Sequence, residues 1–170
     1  MSLFTAFVPP VDVVEALEAE LAGHGAADPC LRWSAAGQWH VTLGFYGSGE
    51  PVARAAWLAE RLAGRPAPRV RLNGPGTFPG VLWLAVEGLG LAELAEAAGS
   101  GLEDREYRPH LTLARFPREQ PAWAQRWEQA LSGFGTGFWT VGEVVLMSSD
   151  PGDGKSAESP YRVIESWSLR

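Results

Sequence analysis

The sequence predicts an α+β fold in a single domain over residues 1–170, with two pseudo-symmetric lobes of antiparallel sheet plus helices and a cleft between them. Three observations lead there. Strand-like runs come in pairs between helical patterns, whereas a doubly wound parallel sheet would alternate them singly. No stretch has the composition of a linker between domains. The phrase His-apolar-Thr-Leu occurs at His40 and again at His110, 70 residues later and nearly half the chain away.

Taken in order, "LFTAFVPP" is a short apolar run stopped by two prolines, a strand. In "VDVVEALEAELAGHG", Val14, Leu17 and Leu21 recur at helical spacing before the glycines. Residues 31–46 read as extended chain broken by "SAAGQ", with "GSGEP" as a turn. A second helix follows over "VARAAWLAERLAG", with Ala55, Leu58 and Leu62 on one side and Gly64 as its terminator. "RVRLNGPGTFPGVLWLAVEG" gives two strands around a Gly/Pro-rich turn, and "LAELAEAAGSGLE" a third helix. The second His phrase, "RPHLTLARF", is a strand, and "PAWAQRWEQALSG" is a helix with proline near its start. "FWTVGEVVLMSSD" and "YRVIESWSLR" close the chain as strands around the polar loop "PGDGKSAESP".

Bulk composition narrows the function. With 46% apolar and 20% charged residues, the mixture is that of a globular protein. No apolar run is long enough to span a bilayer, and no charged segment leads into a long apolar one. Neither a membrane span nor a secretory signal is therefore expected, and a cytoplasmic setting is. The lone Cys30 excludes an internal disulfide and a multi-cysteine zinc site, and suits a reducing compartment. A net charge of −6 argues against a broad basic surface for long nucleic acid, but leaves room for a nucleotide or an RNA end. A monomer is the default.

Only three histidines occur, at 24, 40 and 110, and two of them head the same phrase. Side chains alternate faces along a strand, so His40 shares a face with Thr42 and His110 with Thr112. Val41, Leu43 and Phe45 then point to the opposite face, as do Leu111 and Leu113. Lobes packed side by side would oppose the two imidazoles across a groove. Displacement at a phosphodiester requires a base for the nucleophile and an acid for the leaving oxygen, and imidazole serves in either role. Threonine hydroxyls supply hydrogen bonds to the nonbridging oxygens, and arginine neutralises them. Neither a metal nor a cofactor is needed for this chemistry. No second histidine or carboxylate stands at ligand spacing in either phrase, the nearest acids being Glu50 and Glu106.

Arg108 and Arg115 flank the second phrase. Arg115, five residues after His110, faces away in a regular strand and reaches the site only if the strand ends or twists there. Tyr161 either contacts the phosphate or anchors the last strand. Phe45, Tyr46, Phe78 and Trp83 are candidates for contact with a base, whereas Trp57, Trp123 and Trp127 fall in helical core patterns. His24 ends a helix as a surface or capping residue.

The phrases "WHVTLGFYG", "TFPGVLWLAVEG", "YRPHLTLARF" and "VVLMSS…SPYRVIESWSL" resemble the 2H phosphoesterases, specifically the LigT-like RNA 2′,3′-cyclic phosphodiesterases, also called 2′-5′ RNA ligases. The resemblance covers essentially the whole chain. It implies a bilobal fold whose cleft carries His40, Thr42, His110 and Thr112; Arg115 and Tyr161 are phosphate-binding candidates from the reading of the residues alone. It also implies opening of terminal 2′,3′-cyclic phosphates to 2′-phosphates without metal; we cast His110 as base and His40 as acid, and the near-symmetric chemistry leaves the reverse assignment open. The expected partner is an RNA 2′,3′-cyclic phosphate end or a small nucleotide, with no metal and no membrane. Two alternatives stay open: a 2′-5′ RNA ligase or phosphodiesterase acting on another 2′-linked nucleotide, and a noncatalytic module that binds an RNA end.

Overall fold

A computed structural model describes residues 2–25, 31–149 and 161–170. Cys30, Lys155 and the polar loop of "PGDGKSAESP" lie outside the described residues. The strands are β1 (Ser2–Phe7), β2 (Arg32–Trp33), β3 (Val41–Gly47), β4 (Arg69–Phe78), β5 (Val81–Leu89), β6 (His110–Arg115), β7 (Trp139–Thr140), β8 (Glu143–Ser149) and β9 (Tyr161–Ser168). The helices are α1 (Val11–Gly23), α2 (Pro51–Leu62), α3 (Leu91–Ala97) and α4 (Ala122–Ala130). The run "FWTVGEVVLMSSD" is thus two strands, β7 and β8, rather than one.

The helices form for local reasons. In α1, Val13, Leu17 and Leu21 are the buried stripe, four residues apart. Val14, expected on that stripe, is half-buried beside it. The start of α2 is fixed by Glu50, whose side chain accepts a hydrogen bond from the Ala53 N–H (3.1 Å), and by Pro51 in the first turn. Ala55, Leu58 and Leu62 form its buried face, as the spacing predicts. After α2, Gly64 adopts a left-handed conformation (φ 71°), open to glycine at little steric cost.

The strands form one curled antiparallel sheet in the order β7-β4-β5-β6-β3-β1-β8-β9, with β2 also paired to β6. The centre is the β3–β6 pair, joined through Val41 opposite Leu111. One lobe holds β3, β1, β8 and β9; the other holds β6, β5, β4, β7 and β2. The lobes are therefore not the two halves of the sequence. The C-terminal hairpin β8–β9 returns to pair with the N-terminal β1, so the 70-residue offset marks matching strands, not a boundary.

The helices cover one face of the sheet. There Leu43, Leu58, Leu72, Leu82, Leu84, Leu111 and Leu113 are essentially fully buried. Burying each such side chain stabilises the fold by about 1.5–3 kcal/mol. The opposite face is left for the two His phrases. Gly44 fixes how closely β3 approaches α3, since a Cβ there would strike the Ala98 carbonyl oxygen. That oxygen belongs to the backbone and already accepts the Tyr46 hydroxyl at 2.5 Å, so it cannot swing aside. Gly44→Val should therefore lose about 1–3 kcal/mol. Urea denaturation checks this: the midpoint should fall with the slope unchanged.

Candidate active site

The residue pairs across β3 and β6 explain how two distant phrases come to share one surface. Val41 opposite Leu111 sets a local twofold, and His40, Thr42, His110 and Thr112 flank it on the face away from the helices. His40 stands just before β3 and His110 is the first residue of β6. The two segments also share a burial sequence. From 40 to 45 and from 110 to 115 the residues are half-buried, buried, half-buried, buried, buried and exposed.

That shared sequence departs from strict alternation at the same step in each strand. On β1, Ala6 pairs with Thr42 while Thr5 pairs with Gly44, which leaves Leu43 as an extra residue. On β5, Trp83 pairs with Thr112 while Leu82 pairs with Ala114, which leaves Leu113 as the extra one. A bulge of this kind opposes two residues to one and reverses the facing of everything after it. Phe45 consequently lines the cleft rather than the core face where alternation put it. Arg115 lines the cleft for the same reason, on the same side as His110 and Thr112.

Each imidazole is held in the same way. His40 Nδ1 donates to the Gln38 carbonyl at 2.8 Å, and His110 Nδ1 donates to the Arg108 carbonyl at 2.7 Å. A carbonyl can only accept, so each Nδ1 carries a proton and each neutral ring keeps its lone pair on Nε2. Aromatic rings wall both. His40 meets Phe4 (centroids 5.2 Å) and the edge of Tyr161 (5.0 Å). His110 meets Phe78 (5.0 Å) and Trp83 (6.0 Å).

Burial holds both imidazoles below the ordinary histidine value of 6.5. The carbonyl bonds oppose that shift, while His110 lowers His40 further and Arg105 and Arg115 lower His110 further. Because the folded pKa values are depressed, this stability term is fully present above pH 6.5. It is lost as the pH falls through the lower folded values, where the unfolded chain binds more protons. The melting temperature should therefore drop between pH 7.5 and 5.5. The drop should shrink in a His40→Asn/His110→Asn double variant, measured by thermal denaturation at both pH values.

The cavity between the motifs is about 320 Å³ and includes Ser34, Gln38, Ser149, Phe4 and Tyr161 beside the residues above. Tyr161 opens β9 opposite Ser149, and its ring stands edge-on to both His40 and Phe4. Tyr107 ties the two motifs, its hydroxyl donating to the Thr42 carbonyl at 2.7 Å. Tyr46 lies on the other face, bonded to Thr5 Oγ1 at 2.8 Å, and burial pushes its hydroxyl up to about 12. It is thus removed from contact with a ligand in the cleft. Trp57 is marginal rather than core, half-buried between the guanidinium groups of Arg54 and Arg61. His24 caps the end of α1 and pairs with Glu20 at 3.1 Å. Among the described residues, no three His, Cys, Asp or Glu side chains gather as a metal site, and no helix is long and apolar enough to cross a membrane.

The family model of the 2′-5′ RNA ligase superfamily matches residues 40–153, from the first histidine of the cleft through the second motif and β8. The chain belongs to this superfamily. It is similar over 100% of its length to TT0787 of Thermus thermophilus, at 27% identity, 98% of that chain and a TM-score of 0.75. It is also similar to E. coli LigT complexed with phosphate (26% identity, TM-score 0.70, 99% of this chain and 96% of that one). LigT complexed with 3′-AMP matches at 27% identity and a TM-score of 0.68, over 99% of this chain and 96% of that one. No curated protein matches the chain by sequence. These likenesses bear out the α+β, bilobal, LigT-like fold and the 2H phosphoesterase resemblance.

Several cleft residues of this superfamily member carry no signal in its sequence. Phe4, Ser34 and Ser149 come from three separate strands or their ends, and nothing in their spacing relates them to either histidine. Gln38 and Arg108 act through backbone carbonyls, which any residue possesses. Only their common offset, two residues before each histidine, is a readable sign.

Proposed function

We propose that the protein opens 2′,3′-cyclic phosphates at RNA ends or on nucleotides to 2′-phosphates, without a metal. The observation that carries this reading is the twofold pair of carbonyl-tethered imidazoles lining one cavity with Thr42, Thr112 and Arg115. His110 Nε2 takes the proton of a water whose oxygen bonds to phosphorus. The bond from phosphorus to the 3′ oxygen breaks, and His40 Nε2–H returns a proton to that oxygen. Arg105 and Arg115 favour a neutral His110, which supports its role as base. A neutral His110 in turn removes the repulsion that opposes a protonated His40. Thr42, Thr112 and Arg115 bind the nonbridging oxygens, with Tyr161 at the edge of the same site. LigT, crystallised with phosphate and with 3′-AMP, is consistent with a ligand of this size.

The superfamily description favours a second reading of the same site, in which a 5′-hydroxyl replaces water and a 2′-5′ linkage forms. Incubation of a nucleoside 2′,3′-cyclic phosphate and a short RNA with that end tests both, with EDTA present and products separated. The expected result is 2′-phosphate, formed at a rate the chelator does not change. Binding without turnover on every substrate would instead make the protein an RNA-end binding module.

A further inference from the structure

The cleft has a second aromatic surface that lies outside the cavity itself. Trp83 projects from β5 opposite Thr112 and so shares the face of the reacting groups. On its other side it pairs with Gly76 of β4, where a Cβ would collide with the six-membered ring of the indole. The indole thus rests on a bare stretch of backbone, and no other residue type at position 76 would let it do so. Phe78 braces it at 5.0 Å between centroids, and both rings stand against His110, at 6.0 and 5.0 Å. Neither Trp83 nor Phe78 lines the cavity, which has its own aromatic wall at Phe45, Phe4 and Tyr161. Both Trp83 and Phe78 remain partly exposed.

A cavity of about 320 Å³ with its own aromatic wall suits one nucleoside. The rings of Phe78 and Trp83 meet His110 without lining the cavity, so a chain leaving the reacting phosphate past that histidine would pass over them. Bases stack on aromatic rings with little regard to sequence. Arg115, in the cavity lining, and Arg105, paired with Glu103 at 3.5 Å, both act electrostatically on His110, so positive charge stands beside the reacting end despite the chain's overall −6.

We propose that Trp83, laid over Gly76 and braced by Phe78, is a second base subsite. It receives the nucleobase adjoining the reacting end of single-stranded RNA, so that an oligonucleotide end is preferred to a free mononucleotide. This rests on the phosphoesterase reading above and names its substrate class. The test compares kcat/KM for a nucleoside 2′,3′-cyclic phosphate and for a dinucleotide with the same cyclic end. Stacking of one base predicts a dinucleotide preference of about 5- to 150-fold. Trp83→Leu should bring the ratio close to one, Trp83→Phe should keep part of it, and Phe78→Leu should reduce it. An unchanged ratio in Trp83→Leu would overturn the proposal. So would equal losses on both substrates, which would leave Trp83 as a support for His110 alone. Calorimetric Kd values for a mononucleotide 3′-phosphate and a dinucleotide 3′-phosphate read the same ratio without turnover. A protein that binds the dinucleotide better yet hydrolyses neither would retain the subsite and refute the reaction. Hydrolysis of both without preference would refute the subsite and retain the reaction.

Discussion

Replacing either His40 or His110 with alanine is expected to lower kcat/KM for a 2′,3′-cyclic phosphate by about 10²–10⁴-fold, the usual yield of one positioned proton transfer. The stability of each variant should stay near that of the parent, because both imidazoles are half-buried at the cleft rather than in the core. The pH profile separates their roles. The proposed mechanism requires one neutral and one protonated imidazole, so kcat/KM should be bell-shaped, and burial shifts its limbs toward acid. A bound phosphate anion favours the imidazolium, so kcat should persist to higher pH than kcat/KM. If His110 is the base, His110→Ala abolishes the acid limb, whereas His40→Ala abolishes the alkaline one. Full activity in both variants would end the mechanism.

Arg115→Ala is expected to cost about 10²–10³-fold in kcat/KM, comparable with loss of one donor to a developing oxyanion. The reason is the bulge at Leu113, which turns Arg115 into the cleft beside Thr112. Arg115→Lys should recover part of the loss, since ammonium restores the charge but not the planar fork that grips two oxygens. The equivalent position in the other lobe is Phe45, so the twofold site is cationic on one side and aromatic on the other. Activity of Arg115→Ala within a factor of about two of the parent would make Arg115 a rim residue.

His40, Thr42, His110 and Thr112 are legible in the sequence because their relation is local. Period-two alternation holds from the histidine to the threonine, and both pairs reach the cleft as that period requires. Alternation misplaces Phe45, and for Arg115 it leaves two outcomes open. Both lie beyond Leu43 or Leu113, and a bulge is a relation between two strands, counted on the partner. Neither "HVTLGF" nor "HLTLAR" contains the partner. Tyr161 is ambiguous for a similar reason, since its place beside His40 depends on β9 returning along β8 and on β8 pairing with β1.

Local order along the chain dictates the chemical groups, their pairing on a face, the α+β class and the apolar backs that bury each motif strand. These follow from side-chain periodicity and from the hydrophobic effect, which act over a few residues. Long-range pairing dictates the rest: that β3 and β6 lie side by side, that the lobes interleave rather than divide the chain, and which residues pass the bulges into the cleft. Register across strands is set by packing of the whole sheet against its helices, and a shift of one residue reverses every face beyond it.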